Sequence, residues 1–503
     1  MARFGLISSF INKLTPRTHR YSAIPADNTE PLLSNSSTPA ATRRITTKTM
    51  VKISAAVLLL SAATIGYSLC PPAQKGCEQN GTCTAISKHT WGQYSPYFAA
   101  PSELSSAVPK GCKVTFAQIL SRHGSRSPTA DKAQVYDDLL QTLRDNVTDY
   151  AAGYEFIKDY TPPFVPDELT TYGENELVTA GALFSKRYSS LTQDKPMFVR
   201  ASGSHRVIVS AEKFAQGFYS DSNHSDDILV IPEESGFNNT LDHGGCSAFE
   251  DGDGKKLGKK KQKEWMAKFV PAISDRLTKK LSGSNLDTQS IVYLMDLCPF
   301  DTITDPNAKL SPFCQIFNQD EWLSYDYYQS LEKWYVYGPG RKLAPTQGVG
   351  YVNELIARLT GQPVQDHTTT NTTLDSSDKT FPLDRKLYAD FTHDNTMMTI
   401  YGALGLFKNT QNLPTDRRLS PKELDGYSSS RVVSFAARMV VEKMACDGQG
   451  DEELVRLLIN DRVFPLKDCD ADSLGRCKLG AFVKSQNFSQ SGGDWAQCEA
   501  KEK

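Results

Sequence analysis

Short apolar runs separated by polar segments set the pattern of this chain. "KVTFAQIL" (Lys113–Leu120) is continuous in apolar character and predicts a buried strand that delivers Arg122 and His123 at its end. "PMFVRAS" (Pro196–Ser202), "IVYLMDLC" (Ile291–Cys298) and "LYADFTHD" (Leu387–Asp394) read as further buried strands. In "VSFAARMVVEK" apolar residues fall at 433, 435, 437, 439 and 441, the period of a half-exposed strand. Helical spacing appears at Val207, Ala211, Phe214 and Phe218, and again at Val352, Leu355, Ile356 and Leu359, where Gly361 is placed to end the helix. Strands interleaved with helices imply an α/β sheet, and ligands of such sheets gather beyond the carboxyl ends of the strands. Arg122–His123 and His393–Asp394 both stand at such ends.

The first 70 residues break the pattern. Residues 1–52 carry eight Lys or Arg against Asp27 and Glu30, include the Ser/Thr/Asn/Pro-rich stretch Asn28–Thr49, and read as a flexible cytosolic tail. "ISAAVLLLSAATIGYSL" (Ile53–Leu69) is near the minimum length that spans a bilayer. Behind Arg43, Arg44, Lys48 and Lys52 it reads as a signal anchor over residues 53–70, with a cleaved secretory signal as the alternative. Either way the body, residues 77–498, is expected on the extracellular or lumenal side, as a type II membrane protein or a secreted one. The net charge of −2 then leaves the body clearly acidic, which argues against nucleic acid as partner.

All 11 cysteines lie from Cys70 onward. No C-x-x-C or H-x-x-x-H occurs, so disulfides in an oxidising compartment fit better than zinc. The sequons at Asn80, Asn146, Asn223, Asn238, Asn371 and Asn487 agree, all lying beyond residue 70. Asn35 falls on the cytosolic side and is set aside. "GKKLGKKKQKEW" (Gly254–Trp265) superficially resembles a phosphate-binding loop. Asp253 stands where the first glycine is needed and no Ser or Thr follows Lys259, so a solvated loop is expected.

"LSRHGSRSPT" (Leu120–Thr129) carries the chemistry. Two arginines flank one imidazole, and arginine matches phosphate with planar paired donors at every working pH. A neutral imidazole can attack phosphorus, and neighbouring guanidinium charge keeps it neutral in mild acid. Gly124 permits close backbone approach, and Pro128 suits the first turn of a helix. "RHGSRSP" resembles the R-H-G-x-R-x-P signature of the histidine acid phosphatases, and His393–Asp394 their second motif. The likeness extends through "WGQYSPYF", "YLMDLCPFDTI", "LSPFCQIFNQDEW", "TQGVGYVNELIARLT", "YADFTHDN" and "SGGDWAQC" to fungal phytases of the 3-phytase type.

The resemblance implies an α/β sandwich domain with a smaller all-helical domain over the cleft. It implies His123 as nucleophile and Asp394 as general acid. Arg122, Arg126, His393 and an arginine of "VRASGSHRV" would hold phosphate, together with Asn395 and, at the rim, Lys132. Arg206 is the choice from that segment and Arg200 the alternative; His205 is a neighbour only. The implied disulfides are Cys77–Cys83, Cys112–Cys446, Cys246–Cys498, Cys298–Cys314 and Cys469–Cys477, leaving Cys70 over. No metal or organic cofactor is expected. Ser127 replaces a usual aromatic, and Gln134 and Val135 stand where lysines are common, so preference for phytate over simple monoesters is open. A phosphomutase fits the secretory features poorly, and a catalytically idle binder of phosphate esters has no use for Asp394.

Overall fold

The computed structural model describes residues 75–77, 83–221 and 227–499 of the chain. The tail, the segment 53–70, Cys70, Asn80 and Asn223 lie outside them, as do the side chains of Cys77 and Cys83. Among the described residues no helix is long and apolar enough to cross a membrane.

One eight-stranded mixed sheet organises the molecule. Its strands are β1 (Cys112–Arg122), β2 (Phe198–Ser202), β3 (Ile228–Ile231), β4 (Leu387–Thr392), β5 (Arg438–Cys446), β6 (Leu454–Ile459), β7 (Arg462–Phe464) and β8 (Arg476–Lys478). The order is β7-β6-β5-β1-β4-β2-β3, with β8 pairing β6. β1, β4, β2 and β3 run parallel, whereas β5 returns antiparallel to β1. Neighbouring residues on a strand face opposite layers. On β1, Phe116 and Leu120 join one core and Ala117 and Ile119 the other; on β5, Met439 and Val441 oppose Val440 in the same way.

The smaller core is closed by α2 (Thr171–Tyr188) and α3 (His205–Tyr219), through Leu177, Ala180 and Phe184 and through Val207, Ala211, Phe214 and Phe218. On the larger face lie α1 (Ala130–Asn146), α4 (Gly254–Lys280), α5 (Thr288–Thr302), α6 (Gln319–Glu332), α7 (Val349–Thr360) and α8 (Asp394–Ala403). Gly361 ends α7 at φ +67°, where a residue without Cβ adopts the left-handed turn freely.

Four sequence expectations fail on physical grounds. Ile291–Cys298 is helical, inside α5. Its apolar run is buried all round, which periodicity cannot distinguish from a strand. The lysine-rich segment opens the 27-residue α4 and is not a loop. Lysine is a good helix former, and Gly258 fits against Val336 where a Cβ would clash at 2.3 Å. The strand expected over 433–443 starts only at Arg438 and is buried rather than half-exposed, because a core packs on each face, Met439 and Val441 in one and Val440 in the other. Pro128 precedes the cap Thr129 instead of entering α1.

Disulfides join Cys112 to Cys446, Cys246 to Cys498, Cys298 to Cys314 and Cys469 to Cys477. Cys112–Cys446 ties directly paired residues of β1 and β5 across a separation of 334, a loop long enough to contribute about 6 kcal/mol in the chain-entropy picture. Cys77 and Cys83 are partners in a two-stranded ladder. Asn146, Asn238 and Asn487 are exposed. Asn371 caps a helical turn through its Oδ1, and the Asn238 amide donates to the Thr370 carbonyl.

Candidate active site

The parallel pairing of β1 with β4 brings the two distant motifs together. Arg122 stands in register with Thr392, and the His123 N–H donates to the Thr392 carbonyl at 3.1 Å. β4 ends there, so His393 becomes the cap and Asp394 the first residue of α8. The rings of His123 and His393 lie 5.7 Å apart. The tight turn after His123 needs Gly124: a Cβ there would meet the Gly173 carbonyl oxygen at 2.6 Å, at the start of α2. One turn along that helix, Glu176 accepts from the backbone and hydroxyl of Ser125 and from the Tyr97 N–H, fixing the loop.

His123 is buried, and its Nδ1 lies 2.9 Å from the Gly124 carbonyl oxygen. A carbonyl only accepts, so Nδ1 carries the hydrogen and Nε2 keeps its lone pair. Burial, then the charges of Arg122, Arg126, His393 and Arg206, hold the imidazole well below its ordinary pKa. It is therefore neutral in acid. Arg122, 1% exposed, donates to the carbonyls of Gln93 and Val433 and lies 4.6 Å over the Phe435 ring. Its Nη2 stands 3.3 Å from Asp394. Arg126 donates to the Ser127 carbonyl, and Arg206 reaches Asp167 at 3.7 Å. Each of these three arginines leaves its buried Nε without a protein partner.

Burial would raise the Asp394 pKa, but Arg122 and Lys333 outweigh it and hold the carboxyl well below its usual range. Lys333 bonds Asp394 at 2.8 Å and the Asn395 Oδ1 at 2.7 Å. That bond occupies the Asn395 Oδ1 and leaves its amide nitrogen as the remaining donor. His393 donates through Nε2 to Glu233 at 2.9 Å, and Glu233 also accepts from the Ser204 backbone and hydroxyl. Burial works against ionisation of Glu233, yet its bond to His393 keeps the carboxyl below its ordinary range.

Arg122, His123, Arg126, Arg206, His393 and Asp394 thus form one cluster. Arg200 is excluded from it, being buried in β2 and bonded to Asp390 and Glu354. His205 faces Glu168 from an exposed position. Lys132 sits 3.0 Å from Asp296. Burial lowers its pKa, but Asp296 more than compensates and raises it, so the charge is present and shared. Glu233 and Lys333 escaped sequence reasoning. Glu233 lies in an irregular segment after β3 with no motif. Lys333 opens a π-helical stretch, Lys333–Tyr337, a distortion that often marks functional positions but leaves no pattern in "LEKWYVYG". Among the described residues no group of His, Cys, Asp and Glu is placed to hold a metal ion.

Comparison with known proteins adds a lineage to this geometry. The family model described as histidine phosphatase superfamily (branch 2) matches residues 113–460. Phytase A of Aspergillus oryzae is 48% identical over 459 residues, covering 88% of this chain and 97% of that protein. Phytase A of Emericella nidulans is 47% identical, covering 83% and 91%. The crystal structure of the phytase from D. castellii has the same fold, with a TM-score of 0.70 at 23% identity over 87% of this chain and 92% of that one. The chain belongs to branch 2 of the histidine phosphatase superfamily.

Proposed function

We propose that the protein is a phosphomonoesterase that hydrolyses phytate and related phosphate esters in acid, through a phosphohistidine on His123. The observation that carries this reading is the excess of fixed positive charge around a neutral imidazole whose Nε2 is free. Phosphoryl transfer needs charge stabilisation on three oxygens more than it needs covalent assistance. Arg122, Arg126 and Arg206 bring guanidinium donors for those oxygens, and His393, oriented by Glu233, brings another.

In the first step Nε2 attacks phosphorus, the P–O bond to the leaving group breaks, and Asp394 gives that oxygen its proton. In the second, water attacks the phosphohistidine, Asp394 takes the water proton, and the P–N bond breaks to release phosphate. Asp394 must be protonated to donate, although Arg122 and Lys333 by themselves favour its ionised form. An arriving phosphate engages the cations that now stabilise the carboxylate and places negative charge beside it, both of which raise its pKa. Substrate thereby recruits its own acid, and activity belongs to the acid range.

The substrate class rests on the Phytase A relatives, which match nearly their full length. The four disulfides support an extracellular or lumenal body. The division of the chain into a tail (1–52), an anchor or signal (53–70) and a body (77–498) is part of the proposal, as is a helical cap in which α4, α5 and α6 are candidates. One observation favours a broader acid phosphatase: Lys132, a rim cation on the phytate reading, already shares its charge with Asp296. Measuring kcat/KM for phytate and for a simple alkyl phosphate at acid pH decides between the two. A ratio of about ten or more in favour of phytate, equivalent to 1.4 kcal/mol, supports the phytase reading. Equal values support the broader enzyme, and no phosphate release from either refutes both.

A further inference from the structure

A second concentration of unpaired arginine lies apart from the catalytic cluster. Arg431 and Arg462 line a groove of about 760 Å³. Both are half-buried, and neither guanidinium has an ion-pair or hydrogen-bond partner among the described residues. Arg462 is held in place without a carboxylate. Its guanidinium lies 4.4 Å from the Phe464 ring and also packs against Gly426 (φ +89°), where any Cβ would overlap it. Burial, and after it the charge of Arg431, lowers the Arg462 pKa, so two guanidinium groups repel one another here. Lys422 and Lys467 line the same groove from exposed positions. The acids do not balance the cations. Asp468 is taken by Lys408, Asp425 accepts from Thr410, and Glu103 and Asp425 act on Arg462 only from beyond ion-pair distance. Asp326 acts on Arg431 from α6, but burial raises its own pKa to about 6, which weakens it as a counter-charge in acid.

We infer that this groove is a second oxyanion site, distinct from the catalytic pocket, in which Arg431 and Arg462 bind a phosphate group. Preorganised guanidinium groups with unfilled donors match phosphate in shape and charge, and Lys422 and Lys467 supply the surrounding field. The phosphate group can be free orthophosphate or one arm of a polyvalent ester. The site does not depend on the hydrolytic reading, since none of its residues belongs to the catalytic cluster.

The test is equilibrium dialysis of radiolabelled orthophosphate against the full chain at pH 5. The double variant Arg431→Gln/Arg462→Gln is expected to bind one phosphate per chain fewer than the parent. Because those side chains are half-buried, Lys467→Glu on the exposed rim is measured in parallel and is expected to weaken the same phosphate by about fivefold or more, as reversing a nearby charge in the field should. Retained phosphate release in each variant shows that it is folded. Displacement by myo-inositol hexakissulfate at lower concentration than by sulfate identifies a polyvalent ester as the occupant; equal displacement identifies orthophosphate. An unchanged phosphate count and affinity in both variants overturns the inference.

Discussion

Two arginine clusters near the parallel strands have similar side chains and opposite character. Beneath the site, Arg200 bonds Asp390 and Glu354, and Arg358 bonds Asp390. Two guanidinium groups meet two carboxylates, all nearly inaccessible, and the unfilled donors of Arg358 lie against the rings of Phe381 and Tyr388. Around His123, Arg122, Arg126, Arg206 and Lys333 meet Asp394, with Asp167 at the rim and Glu233 engaged by His393. The first cluster is neutral and complete without a ligand. The second is short of negative charge, which on the proposed function a bound phosphate supplies. Arginine type alone does not mark a site; the net charge of the cluster it belongs to does.

The comparison breaks most severely at Asp394. Asp394→Asn removes the acid and should reduce kcat on phytate by about 10²–10⁴, with a smaller loss on an aryl phosphate whose leaving oxygen needs no proton. Equal losses on both substrates would exclude the role. Arg200→Gln attacks the balanced cluster, leaving buried Glu354 without its cation and Asp390 with Arg358 alone. Urea unfolding should show a loss of about 3–5 kcal/mol, while kcat of the remaining folded protein is unchanged. Arg206→Gln attacks the unbalanced one and relieves repulsion. Stability should hold or rise, and kcat/KM should fall about 10- to 100-fold, the worth of a hydrogen bond to a charged group. The smallest effect is expected at Lys333. Lys333→Gln removes a cation beside Asp394 and so raises the carboxyl pKa in the loaded site. Since the protonated form is the one that donates, the alkaline limb of the kcat profile should move upward, by up to about one pH unit. Movement toward acid would contradict that assignment.

Much of this was legible in the chain. Lys113–Leu120 and Leu387–Asp394 read as buried strands because continuous apolar runs suit a parallel sheet, though the second ends at Thr392 and Asp394 already opens α8. The strand-end positions of Arg122–His123 and His393–Asp394 implied that the two motifs are neighbours, and the structure brings them together. Other parts were hidden for physical reasons. Ile291–Cys298 is buried on every side and has no period to betray its helix. Glu233 and Lys333 reach the pocket only through tertiary placement, Glu233 from an irregular segment and Lys333 from a π-turn. The resemblance favoured Arg206 over Arg200, a choice the residues alone could not make because Asp390 and Glu354, which engage Arg200, are remote from it in sequence.

The central claim is that His123 receives the phosphoryl group in a pocket charged to stabilise it. Rapid acid-free denaturation during turnover of a labelled phosphate ester tests this directly. The account predicts label on the protein as alkali-stable, acid-labile phosphohistidine, absent from His123→Ala. Label that persists in His123→Ala would contradict it.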